Sequence, residues 1–310
     1  MRRQISKMLM ACVMAMTLMV VSAASAFAAG TGMDWSGDSK ITVQGMGVAP
    51  TYAVNAIQAR MLARRAAVVD AYRQLAEMVK GVNVDSETTV ENMMVTSDVT
   101  KTKVTALIQG ARIVSEQAVD GGGYTVTMEM SVFGASNSLA TAVLPTNTVP
   151  TSFPAPDASV PASTPSSVQV NVQVTPGTTI PSVTTPSHQG SSAAAAPAGQ
   201  AIGGYTGLIV DCRGLGLKPV MSPVIKNANG EPIYGYKNLD SATVIANGMA
   251  SYTTDLSKAS RAGSNPLVVK AVGLDNHNGN PILSVADANR VLIENGASGF
   301  LDRTNVVFVR

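Results

Sequence analysis

The chain has 310 residues, a formal charge of +2, 45% apolar and 14% charged residues, two cysteines and two histidines. That length accommodates two ordinary domains, and the near-neutral charge argues against nucleic acid or an anionic membrane as partner. The mature sequence lacks the C-x-x-C, H-E-x-x-H, G-x-S-x-G and G-x-x-x-x-G-K-[ST] spacings, which argues against zinc, serine-hydrolase and P-loop chemistry.

Arg2, Arg3 and Lys7 precede an apolar run from Met8 to about Val21 and the small-residue stretch SAASAFAAG at 22–30. This order reads as a secretory signal peptide over 1–28 and predicts export to the periplasm or cell envelope. After its removal no run of about twenty apolar residues remains to span a membrane. Three cations and no acid leave with it, so the charge falls from +2 to −1. Leu9-Met10-Ala11-Cys12 fits a lipid-attachment box, but cleavage there would cut the apolar run in half; lipidation of Cys12 stays open. If Cys12 leaves with the signal, Cys212 has no intramolecular disulfide partner.

A first domain is predicted over 38–140. SKITVQGMGVAP reads as a strand, and a helix follows from about Tyr52 to Lys80, with Ile57, Met61, Val68, Tyr72, Leu75 and Val79 at the spacing of one helical face. Arg60, Arg64 and Arg65 lie on or beside that face where the helix overhangs the sheet. Such arginines either lay their stems over apolar surface or form a docking patch for a protein or glycan; both readings stay open. Asp70, Arg73 and Glu77 are spaced for weak ion pairs. Alternation from Val82 to Val90 predicts a second strand, a loop or short helix covers 91–98, and two further segments form a hairpin around Asp120-Gly121-Gly122-Gly123. A short helix is predicted at 138–143.

Residues 141–204 hold ten of the sixteen prolines and a single formal charge, Asp157, so the composition predicts a disordered Pro/Ser/Thr/Ala-rich linker. Within it SVQVNVQVTP alternates like a strand, and a lone strand is unstable unless it pairs with a sheet edge or another molecule. A second domain is predicted over 205–310. It has hairpins over Asn229-Gly230 and Asn278-Gly279, a helix in VADANRVLIENG ending near Gly296, and a closing strand TNVVFVR. The fold class is therefore α+β: two small domains, each a mostly antiparallel sheet with packed helices.

Neither His188, in the linker, nor His277, at a hairpin tip, has a rigid neighbour to orient it as a base. Gly214-Leu215-Gly216 reads as a tight turn because no third glycine or helix start follows. Asp275, Asn276, Asn278 and Asn280 fail the EF-hand spacing. Cys212 alternates with Leu208 and Val210 and reads as a small buried side chain. No catalytic, cofactor-binding or metal-binding residue is assigned.

VQGMGVAP at 43–50, QARMLARRAAVVDAYRQLAEMVKGVNVDSETTV at 58–90 and IQGARIVSEQAVDGGGYTVTMEMSV at 108–132 together resemble the twenty-kilodalton bacterial lipoprotein family, which is similar to the N-terminal domain of flagellar assembly protein T. The resemblance covers about a third of the chain. It implies a small α+β domain of the envelope, in some members part of flagellar or outer-membrane assemblies, with no catalytic residues to carry over. The expected function is a non-enzymatic exported envelope protein acting by protein-protein contact with envelope, flagellar or outer-membrane components. The alternative is a glycan- or peptidoglycan-binding module. Oligomer formation is left open.

Overall fold

The computed structural model describes residues 31–37, 39–146, 149–164 and 199–310. The signal peptide, the SVQVNVQV segment and His188 lie outside the described residues. The described residues divide into two compact units: residues 31–33, 41–78 and 108–130 form the first, and the remaining ones the second.

The sheet of the first unit has the order β1 (Gly32–Met33), β2 (Lys40–Val48), β4 (Gly123–Ser131), β3 (Arg112–Val119). The 25-residue helix α1 (Ala56–Lys80) lies across it. Asn55 opens the helix by accepting from the Gln58 amide at 2.8 Å, an N-cap that starts it later than Tyr52. The buried face matches the predicted one only toward the helix's end, at Leu75 and Val79. Ala63, Ala67, Ala71, Leu75 and Val79 are buried, whereas Ile57 is 77% and Met61 64% exposed. The cause is the glycine pair on β2. A Cβ at Gly45 would meet the Ala67 carbonyl oxygen at 2.2 Å, and one at Gly47 the Ala63 carbonyl oxygen at 2.1 Å. Helix backbone touches strand backbone there, so only alanines fit between them.

The strand predicted over 82–90 is absent. Asp85 Oδ1 accepts from the Glu87 and Thr88 amides at 2.8 and 2.7 Å. Thr89 caps α2 (Val90–Thr96), and α3 (Asp98–Gln109) follows. Asp and Thr side chains here bond the local backbone in place of a neighbouring strand. Only the Asn83–Thr89 bridge survives from the predicted pairing. The short helix predicted at 138–143 forms as α4 (Leu139–Val143), capped by Ser138.

The second unit contains the mixed sheet β10 (Gly273–Asp275), β11 (Asn280–Leu283), β6 (Ile225–Asn227), β7 (Pro232–Tyr234) and the sheet β8 (Ser251–Thr253), β12 (Val306–Val309), β5 (Gly207–Asp211), β9 (Pro266–Lys270). Both predicted hairpins form, β6/β7 and β10/β11. The α+β class with two domains holds, but the expectation of a mostly antiparallel second sheet does not: β12–β5, β12–β8 and β5–β9 are all parallel. Every residue of β12 and the first four of β5 are buried, the continuous apolar pattern of a strand covered on both faces. The Cys212 thiol, next to β5, is buried and its pKa pushed up to about 12 by desolvation, so it is inert at neutral pH. Helix α5 (Ser241–Asn247) precedes β8. Helix α6 (Val285–Ser298) runs through Gly296 and ends at Gly299, which takes the left-handed cap.

The composition assigns all of 141–204 to a disordered linker, yet its two ends are held by α6. Arg290 and Glu294 are 1% and 0% exposed and bond each other at 3.1 Å. Arg290 also donates to the carbonyls of Ser163 and Gln200, while Glu294 accepts the amides of Ile202 and Gly203. Asn289 bonds both the amide and the carbonyl of Asp157. Backbone polar groups of these proline-rich ends thus satisfy charges that apolar burial alone would strand. Residues 165–198 lie outside the described residues.

Candidate functional site

The two outer edges of the first unit's sheet differ. Beyond β1, no described strand pairs with the outer edge of the upper half of β2, and side chains cover it instead. Thr31 Oγ1 accepts from the Gln44 amide at 3.2 Å, Asp70 Oδ2 accepts from the Met46 amide at 3.0 Å, and Gln74 donates to the Gln44 carbonyl at 3.0 Å. Asp70 is in turn bonded by Arg73 at 2.8 Å and by Gln74 at 2.8 Å. The Arg73 bond, followed by the Met46 amide, holds the Asp70 carboxyl below its ordinary pKa. Arg73 also pairs with Glu77 at 2.8 Å, the weak surface pairs that the spacing predicts.

At the other edge, β3 pairs with β4 alone, with a bulge between Ile113 and Ser115, and every one of its residues is exposed. Among the described residues no side chain covers its outer backbone. Ile113, Val114 and Val119 therefore stand at an open strand edge, which natural sheets otherwise protect.

The sequence-predicted arginines fall on the helix beside this sheet and do not converge on one point. Arg64 turns toward β3 and its Nε donates to Glu116 Oε2 at 2.6 Å. That hydrogen bond and charge raise the Arg64 pKa. Arg60 and Arg65 are exposed, and Arg65 lines a shallow groove of about 460 Å³ with Leu62, Ala66, Val69, Asp70 and Arg73. Exposed Tyr52, Val54, Ile57 and Met61 continue the apolar surface over the helix's first turns. Sequence reasoning found the arginines but missed the open β3 edge. Its signal was indirect: RIVSEQAV is followed by one strand partner and no second.

The second unit carries a polar cleft of about 720 Å³, lined among others by Arg261, Arg303 and Lys40. Among the described residues no group of three His, Cys, Asp or Glu side chains is placed to hold a metal. His277 Nδ1 lies 3.1 Å from the Ser86 carbonyl oxygen, at a turn where Asn276, His277 and Asn278 all have positive φ.

Residues 37–131 match the model of the LPP20 lipoprotein family, the family that the sequence of the first domain resembles. Residues 207–310 match the model of the second domain of Treponema pallidum Tp0624. No curated protein matches the chain. A lipoprotein family belongs to the cell envelope, and no described helix is long and apolar enough to cross a membrane.

Proposed function

We propose that the protein is a non-enzymatic exported envelope protein that acts by protein-protein contact through the β3 edge and the neighbouring arginine-bearing face of α1. The observation that carries this reading is the asymmetry of the sheet: Thr31, Asp70 and Gln74 cover one edge and no described side chain covers the other. An open edge offers main-chain donors and acceptors to an added strand. The partner that fits is an extended segment of another envelope protein, with apolar residues for Ile113 and Val119 and acidic ones for Arg60, Arg65 and Arg112. Outer-membrane and flagellar assemblies are the settings that the family resemblance suggests.

The test compares the wild-type chain with an Ile113→Asp, Val114→Asp double variant and with an Arg60→Ala, Arg64→Ala, Arg65→Ala triple variant. Each is crosslinked in intact cells with and without flagella, and the partners are identified by mass spectrometry. The account expects defined envelope partners with the wild type, lost in both variants although both fold. Unchanged partners in the double variant would overturn it. The second reading, a glycan-binding module, draws its support from the cleft of the other unit.

A further inference from the structure

The second unit holds a fully buried and a half-buried arginine, and they are compensated differently. Arg290 faces Glu294. Arg261 bonds no carboxylate among the described residues: its Nε donates to the Thr304 carbonyl at 2.7 Å, Nη1 to the Asn247 carbonyl at 2.8 Å, and Nη2 to the Gly248 carbonyl and to Thr304 Oγ1. Four of the five N–H groups of a guanidinium are thereby engaged, and the group is locked at the end of α5 with its positive charge intact. Carbonyl dipoles at a helix C-terminus offset part of that charge, but a half-buried cation with no carboxylate bonded to it among the described residues keeps an uncompensated charge. Burial accordingly lowers its pKa, though a guanidinium remains charged at any ordinary pH.

Arg261 lines the cleft of about 720 Å³ together with Arg303 and Lys40, a volume within the roughly 300–1,000 Å³ of small-molecule sites. The Arg303 guanidinium is exposed and makes no hydrogen bond to a described residue. The neighbouring Asp302 does not line the cleft, and its carboxylate accepts from Asn295 at 3.2 Å. The described lining contains no Asp or Glu, Asp38 lying outside the described residues. Between the cations the lining mixes Phe133 and Ala246 with serine hydroxyls, Ser131 and Ser260 among them, while the Ser36 hydroxyl donates to Asp34 Oδ1 at 2.7 Å.

We propose that this cleft binds an oxyanion carried on a sugar-sized polyhydroxyl scaffold, that is, a carboxylated or phosphorylated sugar. The Arg303 fork matches carboxylate and phosphate oxygens, Arg261, whose fork is taken by protein acceptors, adds fixed positive charge, and serine hydroxyls match sugar hydroxyls as donor and acceptor. The site shares no residue with the β3 edge, so it stands or falls independently of the contact function.

The single tryptophan provides the readout. Trp35 precedes the lining residue Ser36 and packs edge-on against Tyr252, with ring centroids 5.8 Å apart at 72°. The mature full-length chain is titrated at constant ionic strength with glucuronate, glucose 6-phosphate, glucose and inorganic phosphate, followed by Trp35 fluorescence and by calorimetry. Saturable binding of both anionic sugars, much weaker binding of glucose and phosphate, and a loss of about ten-fold in Arg303→Ala are expected; charged hydrogen bonds contribute about 1.5–3 kcal/mol, or about ten-fold and more. Arg261→Lys should weaken binding as well, and because it can disturb folding, the exposed Arg303 carries the decision. No binding of either anionic sugar, glucose or phosphate binding equally well, or an unaffected Arg303→Ala would each overturn the proposal.

Discussion

Helices α1 and α6 both carry arginines among apolar residues, and they use them in opposite ways. On α6, Arg290 is buried because two backbone carbonyls and the Glu294 carboxylate converge on it, and Glu294 in turn accepts two backbone amides. On α1, the inner face is already closed by alanines pressed against Gly45 and Gly47, so Arg60, Arg64 and Arg65 are left outside. An arginine's role here follows from what backbone can reach it, and an apolar neighbourhood in sequence does not predict which outcome occurs.

The comparison breaks most visibly at α6. Glu294→Ala leaves Arg290 buried and unpaired and frees the Ile202 and Gly203 amides, so it should cost about 3–5 kcal/mol, measured by denaturant unfolding. A cost below about 1 kcal/mol would mean that the chain ends do not anchor there. Next in size is Gly47→Val, which forces a side chain into helix backbone at 2.1 Å. It should cost about 3 kcal/mol, the upper range for overpacking, with Gly45→Val behaving alike; tolerance of both would disprove the backbone contact between β2 and α1.

Smaller is Asp70→Ala, which uncovers the Met46 amide and should cost about 1 kcal/mol while raising self-association in light scattering, because it opens the second edge. The same bond gives a pH dependence. Asp70 has a folded pKa below its unfolded value of about 3.9, so its contribution is fully present above that value and is lost as pH falls through the folded value. Edge opening should therefore appear on acidification below about pH 4 and be absent at neutral pH. The smallest effect belongs to the exposed arginines of α1: replacing Arg60, Arg64 and Arg65 by alanine should leave the melting temperature nearly unchanged, since exposed pairs such as Arg64–Glu116 contribute little. A large drop in melting temperature would make them structural.

Much of this was legible in the chain. The β2 strand, the long helix to Lys80, the two Asn-containing hairpins, the α4 helix and the closing strand all carry local signals of period, cap or turn. The losses have physical causes. The first half of α1's buried face escapes a sequence reading because alanine registers weakly as apolar, and its burial depends on two glycines a dozen or more residues away. The strand at 82–90 failed because Asp85 and Thr89 bond their own backbone, which outweighs alternation of apolar residues. The parallel sheet could have been inferred from the unbroken apolar runs LIV and VVFV, which contain no solvent-facing position. For the site, the arginines were visible as residues, but an open edge is a property of what does not pair with a strand, and the cleft assembles from segments distant in sequence.

The central claim, that the β3 edge is a contact surface, is tested most directly by a photocrosslinking residue placed at Val114 in intact cells, with Gln44 at the covered edge as the matched control. The account predicts a discrete adduct with an envelope protein at Val114 and none at Gln44. Equal labelling at the two positions, or no adduct at Val114, would contradict it.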